Sequence, residues 1–332
     1  MAFTGLALVA SAVALTFALA GTAPSSKRGT STSKGTREKP TPSAAKPSSF
    51  AVGLRVLRLI DTTRTIQLPD GASEPRTLTT YVRFPALGPS SRTDVRAPAA
   101  RADGPFPLVI FGHGFAVTPQ LYARILQAWT RAGYVVAAPV FPLESANAPN
   151  GPDESDLINQ PRDMRFVISR LLQASSASSG PLAGLIDPTR IAVSGQSDGG
   201  DTALAVAYDR DFRDPRVSAA VILSGAEIPG VSGFTFPHGS PPLLATQGTA
   251  DTVNPPSFTD TFFTLAQRPK YRLNLLGAEH LPPYSTEQPQ LAIVERVTTA
   301  FLDGYLKRSS AARRWLLSLG NVPGTATLLA EP

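Results

Sequence analysis

The 332-residue chain contains no cysteine, which excludes disulfide staples, a cysteine nucleophile and cysteine-ligated zinc. Histidine is almost as scarce. Only His113, His238 and His280 occur, so any imidazole chemistry has three candidates. Charged residues make up 17% of the chain, and the net charge is +6. A basic surplus can signal a polyanionic partner, but here it is concentrated in one segment. Lys27, Arg28, Lys34, Arg37, Lys39 and Lys46 against Glu38 give residues 22–49 a net charge of six minus one. Since residues 1–21 are uncharged, about one positive unit is left for everything beyond, and a nucleic-acid partner is not expected.

Residues 1–23 have no charged side chain at all. The apolar run at residues 5–20, ending in Ala18-Leu19-Ala20 before Gly21, reads as a signal-peptide core with a small-residue cleavage site, although the usual basic start is missing. The competing reading is an uncleaved membrane anchor, because about 20 apolar residues suffice to span a bilayer. Residues 24–49 are rich in Ser, Thr, Lys and Pro and lack large apolar side chains. Such a segment cannot offset its ordering entropy and is expected to be a disordered linker. The expected product is an exported protein, secreted or tethered through residues 1–23, with a monomeric catalytic domain over residues 50–332.

That domain has 42% hydrophobic residues to draw on, enough for one sizeable core. Strands are expected at residues 52–60 and 77–84, joined through the turn signal Pro69-Asp70-Gly71. A continuous apolar run at 107–111 reads as a buried parallel strand, and further strands are expected at 134–138, 190–194, 217–223, 242–246 and 271–275. Helical patterns at 119–132, 161–172, from 202 onward, and 288–306 alternate with them. The fold class is therefore α/β, a mostly parallel sheet covered by helices on both faces.

Gly195-Gln196-Ser197-Asp198-Gly199 lies between one such strand and the helix after it. A G-x-S-x-G turn in this setting holds a serine hydroxyl above the sheet at a helix N-terminus, with glycines where the backbone crowds. A serine there needs a base, and the base needs an orienting acid. His280 follows the strand ending near residue 275, and Asp251 follows the strand ending near residue 246. The expected catalytic set is Ser197, Asp251 and His280, with His238 in a Pro/Gly/Ser loop outside it. Backbone N–H groups of Asp198 and Phe115 are the expected oxyanion donors, and His113, Gly114, Phe115 and Gln196 the expected substrate pocket. His113 is expected to brace its loop by hydrogen bonding. The carboxylates of Asp198 and Asp201 read as partners of the helix dipole.

With Gly112-His113-Gly114-Phe115, Asn159-Gln160-Pro161-Arg162-Asp163, the Ser197 elbow, Gly248-Thr249-Ala250-Asp251 and Gly277-Ala278-Glu279-His280 in view, the chain resembles serine esterases of the α/β-hydrolase superfamily. The resemblance is to the branch that includes platelet-activating-factor acetylhydrolases and chlorophyllase-like, dienelactone-hydrolase-like and cutinase-type proteins. It spans residues 52–310 and implies an eight-stranded-type sheet with the order Ser, Asp, His. Gln196 and Asp198 stand where cutinase-type polyesterases carry His or Trp and Met. The implied activity is hydrolysis of short- to medium-chain acyl esters or lipids through an acyl-enzyme, without metal or cofactor. Peptide or amide hydrolysis, polyester hydrolysis, and a non-catalytic surface-displayed domain are the alternatives.

Overall fold

The computed structural model describes residues 49–68 and 71–332. The expected leader, linker and cleavage site, and two of the three residues of the Pro69-Asp70-Gly71 turn, lie outside or largely outside them. Among the described residues no helix is long and apolar enough to cross a membrane.

One nine-stranded sheet organises the described residues from 49 to 332. Its strands are β1 (Ala51–Gln67), β2 (Ser73–Ala86), β3 (Phe106–Gly112), β4 (Val135–Pro139), β5 (Ile186–Gln196), β6 (Val217–Leu223), β7 (Leu243–Gly248), β8 (Lys270–Leu275) and β9 (Ala326–Glu331). They lie in the order β1-β2-β4-β3-β5-β6-β7-β8-β9. Strands β4 through β8 are parallel, while β1, β2 and β9 run antiparallel to their neighbours. The ninth strand was not expected. It follows Gly324 at the C-terminus, alternates buried with exposed or half-buried positions, and covers the edge of β8.

Strands β3 and β4, at the middle of the parallel part, are apolar along their length because both faces are covered. In β3, Leu108 and Ile110 pack with one helical layer, whereas Val109 and Phe111 pack with the other, as the two-residue period of a strand requires. The first layer contains α2 (Gln160–Ser176), α3 (Asp198–Tyr208) and α4 (Pro256–Leu265), with Met164, Ile168, Leu204 and Phe262 buried. The second contains α1 (Ala123–Arg131) and α6 (Gln290–Tyr305), with Leu126, Trp129, Val297 and Phe301 buried. A short helix, α5 (Pro282–Ser285), and α7 (Ser310–Gly320) complete the set.

An ion cluster fastens the first hairpin to the helical layer. Arg76 of β2, only 2% exposed, donates two hydrogen bonds to Asp156 at 2.6–2.9 Å and two to Asp163 of α2 at 2.6–2.7 Å. Burial works against the guanidinium charge, but the two carboxylates outweigh it and hold Arg76 firmly protonated.

Candidate active site

Strand β5 delivers Ser197 to the carboxyl edge of the sheet, where the chain turns directly into α3. Ser197 adopts φ 54° and ψ −128°, a conformation a non-glycine residue occupies only when its surroundings enforce it. The glycines on either side are sterically compelled. A Cβ on Gly195 would lie 1.9 Å from the Gly199 carbonyl oxygen, and one on Gly199 would lie 2.2 Å from that of Gly112. The Ser197 amide donates to the Leu223 carbonyl at 3.0 Å, which ties the elbow to β6.

The loops after β7 and β8 bring the acid and the base to this point. His280 Nε2 lies 2.8 Å from Ser197 Oγ, and its Nδ1 lies 2.8 Å from Asp251 Oδ2. The other oxygen of Asp251 accepts from the Val253 and Asn254 amides at 3.0 and 2.9 Å, and Gln247 donates to Oδ2 at 3.2 Å. Burial alone would raise the Asp251 carboxyl. The hydrogen bond and charge of His280 and the Asn254 amide outweigh burial and hold it below the ordinary carboxylate range. The acid loop and the base loop are joined by the Ala250 amide donating to Ala278 O and the Gly277 amide donating to Thr249 Oγ1. His238 sits exposed on a turn outside this group.

The loop after β3 lies against the nucleophile. A Cβ on Gly114 would come 3.1 Å from Ser197 Cβ, so glycine permits this approach. Among the described residues the Phe115 amide has no hydrogen-bond partner, and the Asp198 amide belongs to the first turn of α3, where no intrahelical acceptor exists. The Phe115 ring is 40% exposed.

His113 and Gln196 are not pocket surfaces. His113 is fully buried, with Nδ1 donating to Gly114 O at 2.8 Å and Nε2 accepting from the Phe141 amide at 3.0 Å. Burial pushes the imidazole down to about 4, so it stays neutral and pins the loop to the end of β4. Gln196 is 1% exposed. Its Oε1 accepts from Tyr122 OH at 2.7 Å, and its Nε2 donates to His280 O at 3.1 Å and lies 3.2 Å from His280 Nε2. The Gly114 amide also reaches Tyr122 OH at 3.4 Å. Both residues support the site from behind. Nothing in the sequence around Tyr122 or Gln247 marked either as part of it.

The helix-dipole reading of Asp201 needs correction. Asp201 is 4% exposed and accepts the Ala226 amide at 2.6 Å; burial, aided by Asp198, pushes its carboxyl well above the ordinary range. Asp198 is 8% exposed, and its carboxyl group shares a hydrogen bond with that of Glu144. Behind it stands Glu144, fully buried. Burial and then Asp198 push the Glu144 carboxyl up to about 11. At Asp201 desolvation outweighs the few tenths to one kcal/mol that a helix dipole typically contributes. A cavity of about 330 Å³ opens beside the elbow, lined in part by Asp198 and Asn254.

The family model described as Chlorophyllase matches residues 80–244, a stretch that contains the Gly114 loop and the Ser197 elbow but neither Asp251 nor His280. A solved structure, a ferulic acid esterase from Streptomyces cinnamoneus, shares 20% identity with a TM-score of 0.63, covering 86% of this chain and 98% of that one. No curated protein matches. The chain has the α/β-hydrolase fold and resembles its serine esterases.

Proposed function

We propose that Ser197, His280 and Asp251 are the catalytic triad of a serine carboxylesterase that takes small acyl esters through an acyl-enzyme. The observation that carries this reading is the unbroken chain of 2.8 Å contacts from Ser197 Oγ through both nitrogens of His280 to Asp251. His280 Nε2 takes the serine proton as Oγ attacks the ester carbonyl, then returns it to the departing alkoxide. Asp251 fixes the tautomer with the proton on Nδ1 and stabilises the imidazolium. The amides of Phe115 and Asp198 hold the oxyanion, each worth about 3–4 kcal/mol in the transition state. Water, deprotonated by the same imidazole, then releases the acid. Short- to medium-chain acyl groups suit a site of this size, and export follows from the reading of residues 1–23.

Exchanging Ser197 for Ala is expected to lower kcat on p-nitrophenyl butyrate by about six orders of magnitude and to abolish labelling by a fluorophosphonate, with the unfolding transition intact. Turnover or labelling that survives in this variant overturns the assignment. Aminoacyl anilides assayed in parallel separate an esterase from an amidase, and N-terminal sequencing of the mature protein tests export.

A further inference from the structure

The loop after β4 meets both halves of the oxyanion site at a single residue, Glu144, which is fully buried. Its carbonyl oxygen accepts from the amide of Ala116 at 3.0 Å, directly after Phe115 in the chain. Its carboxyl group is hydrogen-bonded to that of Asp198, the first residue of α3. Phe115 and Asp198 supply the two oxyanion amides in the reading above. Two further bonds tie the same loops together. The Phe141 amide donates to His113 Nε2 at 3.0 Å, and the Ala146 amide donates to Val117 O at 3.1 Å. Ala116 has φ 55°, a left-handed conformation that a residue with a Cβ keeps only where its neighbours hold it.

Folding has no need of an acid at position 144. Among the described residues no N–H donates to either of its carboxyl oxygens, and an apolar side chain would cost less to bury. What the acid adds is direction. Burial and then Asp198 push its ionisation up to about 11, so at neutral pH a proton stays between the two carboxyl groups. A hydrogen bond of this charge-assisted kind is short and strong. It fixes the Asp198 side chain, and with it the backbone where α3 begins.

We infer that Glu144 is a positioning residue for the oxyanion site: its carbonyl holds the loop that carries Phe115, its carboxyl holds Asp198, and together they set the spacing of the two amides. This rests on the serine esterase reading above. Glu144 acts through Phe115 and Asp198, and the bonds made and broken at Ser197 are unchanged.

The test is kcat on p-nitrophenyl butyrate, expressed per site titrated with a fluorophosphonate so that misfolded protein is not counted. Glu144→Leu is expected to lower kcat by about 10- to 100-fold with little change in KM. That is below the hundred- to thousandfold cost of losing a donor outright and on the scale of a donor misplaced by about 1 Å. Glu144→Gln, whose amide can still donate to Asp198, is expected to recover most of that loss. Placed in Asp198→Ala protein, Glu144→Leu is expected to cost less than about twofold, because the two residues then share one lost contact. Equal kcat in Glu144→Leu and Glu144→Gln, or a Glu144→Leu loss of the same size in Asp198→Ala protein, overturns the inference.

Amide hydrogen exchange in Ser197→Ala protein reads the link without turnover. Exchange at Ala116 is expected to be about tenfold faster when Glu144→Leu is added, faster also when Asp198→Ala is added, and unchanged when Glu144→Gln is added. Equal exchange in all four proteins overturns the link. If the parent neither hydrolyses the ester nor takes the fluorophosphonate, the esterase reading alone is overturned, and the exchange rates still decide whether Glu144 joins Asp198 to the Phe115 loop.

Discussion

Replacing Glu144 by Gln should stabilise the protein, by an amount that grows with pH. The carboxyl is fully buried and both its oxygens lack N–H or O–H donors, and burial with Asp198 nearby moves its ionisation from 4.5 up to about 11. Below pH 4.5 the folded and unfolded chains both hold the proton and the group contributes no difference. Above it the unfolded chain releases the proton while the folded chain keeps it, so stability falls as pH rises through the interval toward 11. Each pH unit costs about 1.4 kcal/mol, which amounts to about 3 kcal/mol by pH 7. Gln has the same shape and no proton to lose, and its amide can donate where the acid proton did. Urea unfolding is expected to show a gain near zero at about pH 4.5 that rises to about 2–3 kcal/mol at pH 7. Carboxyls held low, such as Asp251 and Asp214, give the opposite slope, with stability present at neutral pH and lost on acidification. They are common to both proteins and cancel in the difference. A gain that is the same at both ends of the range, or a loss at pH 7, would refute the reasoning.

Two further substitutions test the supports of the site. Gln196→Leu removes the amide that fixes the His280 backbone and ring and is expected to lower kcat by about 10- to 100-fold with little change in KM, the cost of a misaligned base. Tyr122→Phe, one hydrogen bond further back, should cost about fivefold, measured on the same ester. Arg76→Met leaves Asp156 and Asp163 buried without their shared partner and should destabilise by about 3–5 kcal/mol in denaturant titrations; a loss below about 1 kcal/mol would mean the cluster is not desolvated.

The parts of this architecture written locally were legible in the sequence. Strands β3 and β4 read correctly because strands buried on both faces are apolar along their length, and the elbow read correctly because its glycines are demanded by contacts as close as 1.9 Å. Strand β9 did not stand out, since Ala326–Glu331 is six residues at an edge with a two-residue alternation and no strong apolar run. Asp201 was misread for a different reason. An acid in the first turn of a helix is the ordinary partner of the dipole, and only the fold shows that this one is buried and bonded to the Ala226 amide, 25 positions later.

Ser197 thus stands between two differently built walls. On the His280 side the polar groups are matched: Tyr122 donates to Gln196, Gln196 donates to His280, and Asp251 accepts from two amides and from Gln247. On the Asp198 side the carboxyls of Glu144 and Asp198 bond to each other, and Asp201 accepts the Ala226 amide. Folding alone would favour apolar residues in place of Glu144 and Asp201, since burying an acid without a partner costs free energy at neutral pH. Arg76 resolves the burial of Asp156 and Asp163 with four hydrogen bonds, whereas Glu144 and Asp201 are neutralised by the protons that burial makes them hold, so the two sides of the elbow answer differently to pH.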